Sequence, residues 1–495
     1  MLNEDTVRFI RSEGARLLTE INRELWLNLT GRKAETRFRE IYGSRRDLLE
    51  PELFLSLSGP ETGGEEEERA RRSLLSSFLA WVFLGGKSSD IADRVLALEA
   101  GGEFRAGGKS LTLRSAKAEI LSEPRKDKRE EAAERAVEAL SALDTLYLRK
   151  LGRLNECSEE LGYGNYGALL DATSCPGITR IADEAKRFLT DTDYMAGDML
   201  GWFFANKMEL SLKDASIYDM KYLFNSSELR GYFPKPDYAV LAGKVLQGMA
   251  LSPAREPVFD TEKRAGKETE GFSLPLHPPF ETALSIYPAG GVHDYESLLR
   301  CFGHSLSLSY TDPGDDFEFV FLREETLTDI FSLLFGGLVY EPRWLKRYLK
   351  IDTERDFLNF LQLRRLMSAR LDAGRALCAS ELFGGGEPGG LPAIFSDIMS
   401  GAAKCRADGR SYIADFFSPL SSPFRFKAVL ALPVLDNFMT ESFDEEWWRT
   451  REAGEFMRGT WSFGGRVTAE SLLTRAGLKE PDSRTLVRNF EEKLK

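Results

Sequence analysis

Histidine is scarce in this sequence: His277, His293 and His304 are the only three in 495 residues. Any metal or proton-transfer site built on imidazole must use one of them. Cysteine is equally sparse. Cys157, Cys175, Cys301, Cys378 and Cys405 are scattered, odd in number and never spaced as CxxC. That pattern excludes a disulfide framework and predicts free thiols in a reducing compartment. A chain of this length buries enough core to need no bridges. Long apolar runs are missing too. The most apolar stretch, Leu74 to Leu84, contains Ser76 and Ser77 and is too short to span a bilayer, so a buried core helix is expected and no membrane. The start, Met1-Leu2-Asn3-Glu4-Asp5, has no basic cluster followed by an apolar run, which predicts no secretory leader. Positive charge is in deficit: 66 Lys and Arg face 78 Asp and Glu, a net of −12. Such a chain repels phosphate backbones, so no nucleic-acid partner is expected unless a local basic groove escapes the average. The expected location is cytoplasmic.

What is present is helical periodicity. Hydrophobic residues make up 42% and charged residues 29%, the balance of a globular chain. From Ala136 the apolar positions Leu140, Leu143, Tyr147, Leu151 and Leu154 step by three and four, predicting one stripe on one long helix. Phe357, Phe360, Leu363, Met367 and Leu371 draw another. Helix is expected over roughly two thirds of the chain, well above the usual share. Strand signals are few. Phe104 to Leu121 holds a Gly107-Gly108 turn followed by Ser110-Leu111-Thr112-Leu113, a small hairpin. Phe272 to Leu276 and Ala283 to Tyr287 are two short strands joined by His277-Pro278-Pro279. Phe317, Phe319 and Phe321 alternate, as a strand or as one buried helix edge. Gly59 to Arg72, Glu123 to Arg129 and Gly384 to Pro392 are connections, and polar Ser252 to Gly271 is expected to be an exposed excursion. No repeat of fixed period is present.

The informative segment runs from Ala289 through Gly290-Gly291-Val292-His293-Asp294-Tyr295-Glu296-Ser297-Leu298-Leu299-Arg300-Cys301-Phe302-Gly303-His304 to Leu306. Tyr295, Leu299, Phe302 and Leu306 fall at helical spacing, so an amphipathic helix is entered from a glycine loop. Asp294 is placed to cap or charge-stabilise its first turn. In an HExxH zinc peptidase two histidines four residues apart bind the metal and the intervening glutamate activates water. The frame of this segment, Asp-Tyr, two leucines, then five residues ending Phe-Gly-His, resembles the DYxxLLHExGH pattern of the thimet oligopeptidase and oligoendopeptidase F family, zinc metallopeptidases of the gluzincin class.

The resemblance extends along the chain. Leu161-Gly162-Tyr163-Gly164-Asn165-Tyr166 is similar to the family's LGYxSY turn, and Phe272-Ser273-Leu274-Pro275-Leu276 to its strand along the substrate cleft. Phe443 to Trp448, Glu455-Phe456 and Leu472-Leu473 resemble its closing helices. The departures fall on the chemistry. Arg300 stands where the family has its first histidine, Cys301 where it has the general base, and only His304 matches a ligand. In the helix Leu327 to Phe335, Asp329 stands at the third-ligand glutamate. The family's His/Tyr region corresponds to Ser418 to Phe426, which has neither residue, and Phe424 and Phe426 cannot stabilise an oxyanion.

The resemblance implies a mainly α, elongated, two-lobed, neurolysin-like metallopeptidase fold around a deep channel, with a small β ribbon beside the helix of His304. Residues 1–145 would be an N-terminal helical region with the hairpin, and 146–495 the degenerate peptidase-like region. Tyr295, His293, Phe424 and Phe426 are candidate channel-lining residues, and His277 also flanks a turn. No bound cofactor is expected, zinc being the metal of active relatives. The leading expectation is a catalytically inactive homologue that binds peptides or a protein partner in the channel. Residual or altered peptidase activity, and a structural or regulatory partner role, stay open beside it. Locally, Arg300 is expected to replace the metal's charge by pairing with Asp329. Three other readings stand against this: a solvated Arg300, a Cys301/His304/Asp329 metal site, and a Cys301–His304 thiol dyad.

Overall fold

A computed structural model describes residues 4–58, 66–173, 177–253, 255–352, 354–385, 389–418, 420, 422 and 424–494. Cys175, parts of the connections Gly59 to Arg72 and Gly384 to Pro392, and Pro419, Ser421 and Pro423 lie outside these.

Helix α1 (Glu4–Leu29) opens with two acidic residues in its first turn, where the helix dipole favours them, and buries Ile10, Gly14, Leu17 and Ile21 on one face. Helix α2 (Glu66–Gly101) contains Leu74 to Leu84, with Leu75, Phe78, Leu79, Val82 and Phe83 in the core, as expected of a buried helix. Strands β1 (Glu103–Ala106) and β2 (Lys109–Thr112) form the predicted hairpin, and its turn is possible because Gly107 and Gly108 both take positive φ. Thr112 then caps helix α3 (Leu113–Ser122). The single helix expected from Ala136 to Leu154 is two: α4 (Lys126–Ser141) and α5 (Asp144–Glu160). The second restarts in phase with the first, so Ala136, Leu143, Leu146, Tyr147 and Leu151 enter one cluster and the periodicity carries no trace of the break. The division expected between residues 145 and 146 falls inside α5. Helices α6 (Ile178–Asp191) and α7 (Ile217–Leu223) follow.

The β ribbon has three strands rather than two. Strands β3 (Val258–Asp260), β4 (Phe272–His277) and β5 (Glu281–Ser285) are ordered β3-β5-β4, with β3 parallel and β4 antiparallel to β5. The segment Ser252 to Gly271 is therefore no simple exposed excursion. Asp260, Lys267, Glu268 and Thr269 are buried. Lys267 Nζ donates to the carbonyls of Asp260, Glu262 and Ile286 at 2.9, 3.0 and 2.9 Å. Polar content suggested exposure, but these groups satisfy one another inside.

The rest is helical: α8 (Val292–Ser309), α9 (Phe317–Phe321), α10 (Glu325–Gly336), α11 (Arg355–Phe383) and α12 (Arg425–Ser442), with further helices between and after them. The alternating phenylalanines are thus a short helix. The stripe from Phe357 lies on α11 as predicted. The largest core cluster joins Phe188 of α6, Leu298 and Phe302 of α8, Ile330 and Phe335 of α10, Leu363 of α11 and Phe426 of α12. Gly303 sets the approach of α8 to α10: a Cβ there would lie 2.6 Å from the Phe331 carbonyl oxygen. Among the described residues no helix is long and apolar enough to cross a membrane.

Candidate functional site

The loop entering α8 turns through Gly290 and Gly291, both at positive φ. Asp294 lies in the first turn of α8, where the helix dipole favours its charge, but it does not cap the helix. Its carboxylate accepts from the Gly290 N–H at 2.8 Å and from the Tyr238 hydroxyl at 3.0 Å, tying loop to helix. Tyr295 is 2% exposed, donates to the Pro234 carbonyl at 2.9 Å and packs on Phe233 and Trp344. It belongs to the core and does not line a channel. Phe426 is likewise in the core, against Phe188, whereas Phe424 is half-buried. His293 is half-buried, 3.2 Å from the Thr269 carbonyl, and His277 is exposed.

The polar face of α8 carries Glu296, Arg300 and His304 in steps of four, which places them in line. Glu296 forms an ion pair with Arg364 of α11 at 2.5 Å and accepts from the Tyr340 hydroxyl at 2.8 Å. Enclosure works against its ionisation, but Arg364 and then Arg300 hold its pKa down to about 2. The aliphatic stem of Arg300 lies against Gly336 of α10, where a Cβ would collide with Arg300 Cγ. Arg300 Nε is buried without a hydrogen-bond partner. Among the described residues no carboxylate comes within 4.0 Å of this guanidinium, so the direct ion pair expected with Asp329 is not formed. Its charge is felt at a distance: enclosure pushes the Asp329 carboxyl up, opposed first by Arg425 and then by Arg300.

Cys301 is 3% exposed and faces the core, and burial pushes its thiol up to about 12. A protonated, inward thiol is no nucleophile at neutral pH, which removes the basis for a Cys301–His304 dyad. His304 sits with Nδ1 2.5 Å from Ser273 Oγ of β4. Enclosure, then Arg323 and Arg300, push the ring down to about 4, so it is neutral at pH 7. On α10, which packs directly on α8, Glu325 and Asp329 lie one turn apart. Enclosure and the neighbouring Asp329 raise Glu325 to about 7, and its Oε2 accepts from Ser422 at 3.0 Å. Among the described residues no three His, Cys, Asp or Glu side chains come together to hold a metal ion. The Cys301/His304/Asp329 grouping is not assembled.

Several residues of this cleft were not singled out from the sequence. Asp372 of α11 lies 3.2 Å from Arg375 and 3.3 Å from Arg425. Glu270, solvent-accessible yet walled in by protein, is held down to about 2 against enclosure by Arg300, Arg425, Arg375 and Lys117. Glu296 and Glu325 were within reach of sequence reasoning, each lying four residues before a residue already chosen on the same helix face. Glu270, Asp372, Arg375 and Arg425 come from other elements and carry no local signal.

No family model matches the sequence, and no curated protein sequence matches it. Solved structures do. A Bacillus anthracis protein assigned as an oligoendopeptidase F is 15% identical with a TM-score of 0.66, over 86% of this chain and 78% of that one. PZ peptidase A, solved with an inhibitor, is 14% identical with a TM-score of 0.65, over 90% and 85% of the two chains. An M32 carboxypeptidase from Deinococcus radiodurans R1 is 12% identical with a TM-score of 0.60, over 99% of both. The fold of this chain is that of the oligoendopeptidase F and M32 carboxypeptidase structures.

Proposed function

We propose that this chain is a catalytically inactive peptidase-like protein that holds a peptide or an extended protein segment in the charged cleft between α8, α10, α11 and α12. One observation carries the reading: the polar face of α8 offers a guanidinium and a single neutral imidazole, with the Cys301 thiol turned into the core, where hydrolysis would need a ligand set or an activated nucleophile. Zinc takes three or four N, S or O donors at about 2.0–2.3 Å. Here Arg300 supplies none, the Cys301 thiol is buried and protonated, and enclosure shifts Asp329 toward its neutral form against Arg425 and Arg300. The donor set does not fit zinc. Binding without chemistry remains physically supported. Strand β4 is an edge strand beside α8, and α1 already holds its Pro275 carbonyl through Asn22 at 2.8 Å, which leaves Ser273 as the place where an extended ligand could add to the edge. The cleft walls alternate cations and anions, which suits a polar, extended ligand. The buried free thiols Cys157, Cys301, Cys378 and Cys405 accord with a reducing, cytoplasmic setting.

The test is metal analysis of the purified chain together with a quenched peptide library. The expected result is no stoichiometric zinc, no cleavage, and saturable binding of some peptides. One zinc per chain with chelator-sensitive cleavage would overturn the proposal.

A further inference from the structure

We propose that the cavity bounded by α2, α5 and the short helix Phe38–Gly43 binds the phosphate group of a small molecule. The site shares no residue with the cleft around α8 and does not depend on the peptide-binding reading.

The cavity has a volume of about 610 Å³, within the usual range of small-molecule sites. Its wall carries four cations, Arg39, Arg46, Lys87 and Arg153, against two carboxylates, Glu50 and Asp90. This local excess of two positive charges sits on a chain of net charge −12. Asp90 is taken by Arg153 at 2.7 Å. Among the described residues no carboxylate lies within 4.0 Å of Arg39, Arg46 or Lys87, so Glu50 pairs with none of them. Arg37 and Arg45, close in the chain but not on the cavity wall, are paired: Arg37 with Glu24 at 3.6 Å and Arg45 with Glu13 at 3.4 Å. The unpaired cations are thus the ones that line the cavity. Like charges gathered without counter-ions repel, and an anion between them would remove that cost.

A second observation points the same way. Tyr42 lines the cavity and is 5% exposed, yet its hydroxyl has no hydrogen-bond partner among the described residues. Burial pushes its pKa up, so it stays a donor. Gly85 and Gly86 of α2 leave the space that the Tyr42 hydroxyl and Leu49 occupy; a Cβ at either would collide with them.

The frame is fixed before any ligand arrives. Asp93 of α2 accepts from the Phe38 and Arg39 N–H groups at 2.8 and 3.0 Å, tying the helix of Arg39 to α2. Arg153 of α5 donates to the Lys87 carbonyl at 2.7 Å, tying α5 to α2. A preorganised wall loses less binding energy to ordering. Guanidinium forks hold phosphate through paired, charge-assisted hydrogen bonds. A phosphate monoester carries about −1.5 to −2 at pH 7, which matches the excess. Leu49 and Pro51 add apolar wall for the rest of such a molecule.

The experiment is calorimetric titration of the full chain with orthophosphate, adenosine monophosphate and adenosine at fixed ionic strength. The wild type should bind orthophosphate or the monophosphate saturably, with Kd about 1 mM or tighter, and should not bind adenosine. The tighter of the two ligands tells whether the phosphate is free or esterified. Replacing two exposed side chains together, Arg39→Gln with Arg46→Gln, should weaken binding about tenfold or more. Tyr42→Phe should weaken it about two- to tenfold. Lys213→Gln with Lys235→Gln removes the same charge from exposed positions elsewhere and should leave affinity unchanged. Absence of saturable binding, adenosine binding as tightly as its monophosphate, or equal losses in the two double variants would overturn the proposal.

Discussion

Replacing Gly303 by alanine tests whether the approach of α8 to α10 is set by the missing side chain. The added Cβ would sit 2.6 Å from the Phe331 carbonyl oxygen and 2.9 Å from Cβ and Cδ2 of Phe335. Phe335 could relieve part of this by moving its ring, but the carbonyl belongs to the backbone of α10 and has no rotamer to change. Overpacking of this kind costs about 1–3 kcal/mol, and a backbone obstacle places it toward the upper end. Alanine returns about 0.8–1 kcal/mol of helix propensity. The expected net loss is about 2 kcal/mol. Urea denaturation followed by tryptophan fluorescence reads it directly, because Trp461 packs on both Phe331 and Phe335. Gly152, exposed in the middle of α5 with nothing within 4 Å of where its Cβ would stand, is the control. Its alanine variant should gain about 0.8–1 kcal/mol. A Gly303→Ala protein as stable as wild type would refute the packing argument, since propensity alone predicts a gain at both positions.

Three further outcomes follow from charges crowded by protein, of which Glu325 keeps solvent access while Arg129 and Asp219 are fully buried. Glu325 has a pKa raised to about 7 in the folded chain. Folding is therefore indifferent to it below its ordinary carboxylate range and loses stability as pH rises through about 7, so Glu325→Gln should raise Tm at pH 8 and leave it unchanged at pH 4. His304, lowered to about 4, resists protonation that the unfolded chain accepts near 6.5. Stability linked to it is lost as pH falls from about 6.5 toward 4, and an NMR titration should find this ring still neutral at pH 5.5; a midpoint near 6.5 would contradict the enclosure of the cleft. Arg129 and Asp219 form a fully buried ion pair at 2.5 Å joining α4 to α7. Arg129→Ala leaves the Asp219 charge buried and should cost about 3–5 kcal/mol in chemical denaturation. A change under about 1 kcal/mol would mean that Asp219 is satisfied by Ser216 alone.

Much of the fold was legible because its signals are local. The stripe from Phe357 to Leu371, the hairpin at Gly107-Gly108 and the strands flanking Pro278-Pro279 depend on nearest-neighbour spacing and turn chemistry. The break between α4 and α5 was not legible, since a second helix that restarts in phase leaves the periodicity whole. Nor was β3, because Ser252 to Gly271 is polar and its burial depends on Lys267 reaching two carbonyls of its own segment and that of Ile286 beyond it.

The sequence by itself determined the helical character and the glycine-entered helix carrying Arg300, Cys301 and His304. Tertiary structure alone decided how those charges are satisfied. Whether Arg300 pairs with Asp329 depends on how α8 and α10 pack, and there the stem of Arg300 lies against Gly336 without a direct ion pair to Asp329. Coulomb interaction in an enclosed cleft reaches well beyond contact distance, so the partners that set the site's charge, Glu270, Arg375 and Arg425, come from segments that no spacing in the chain connects.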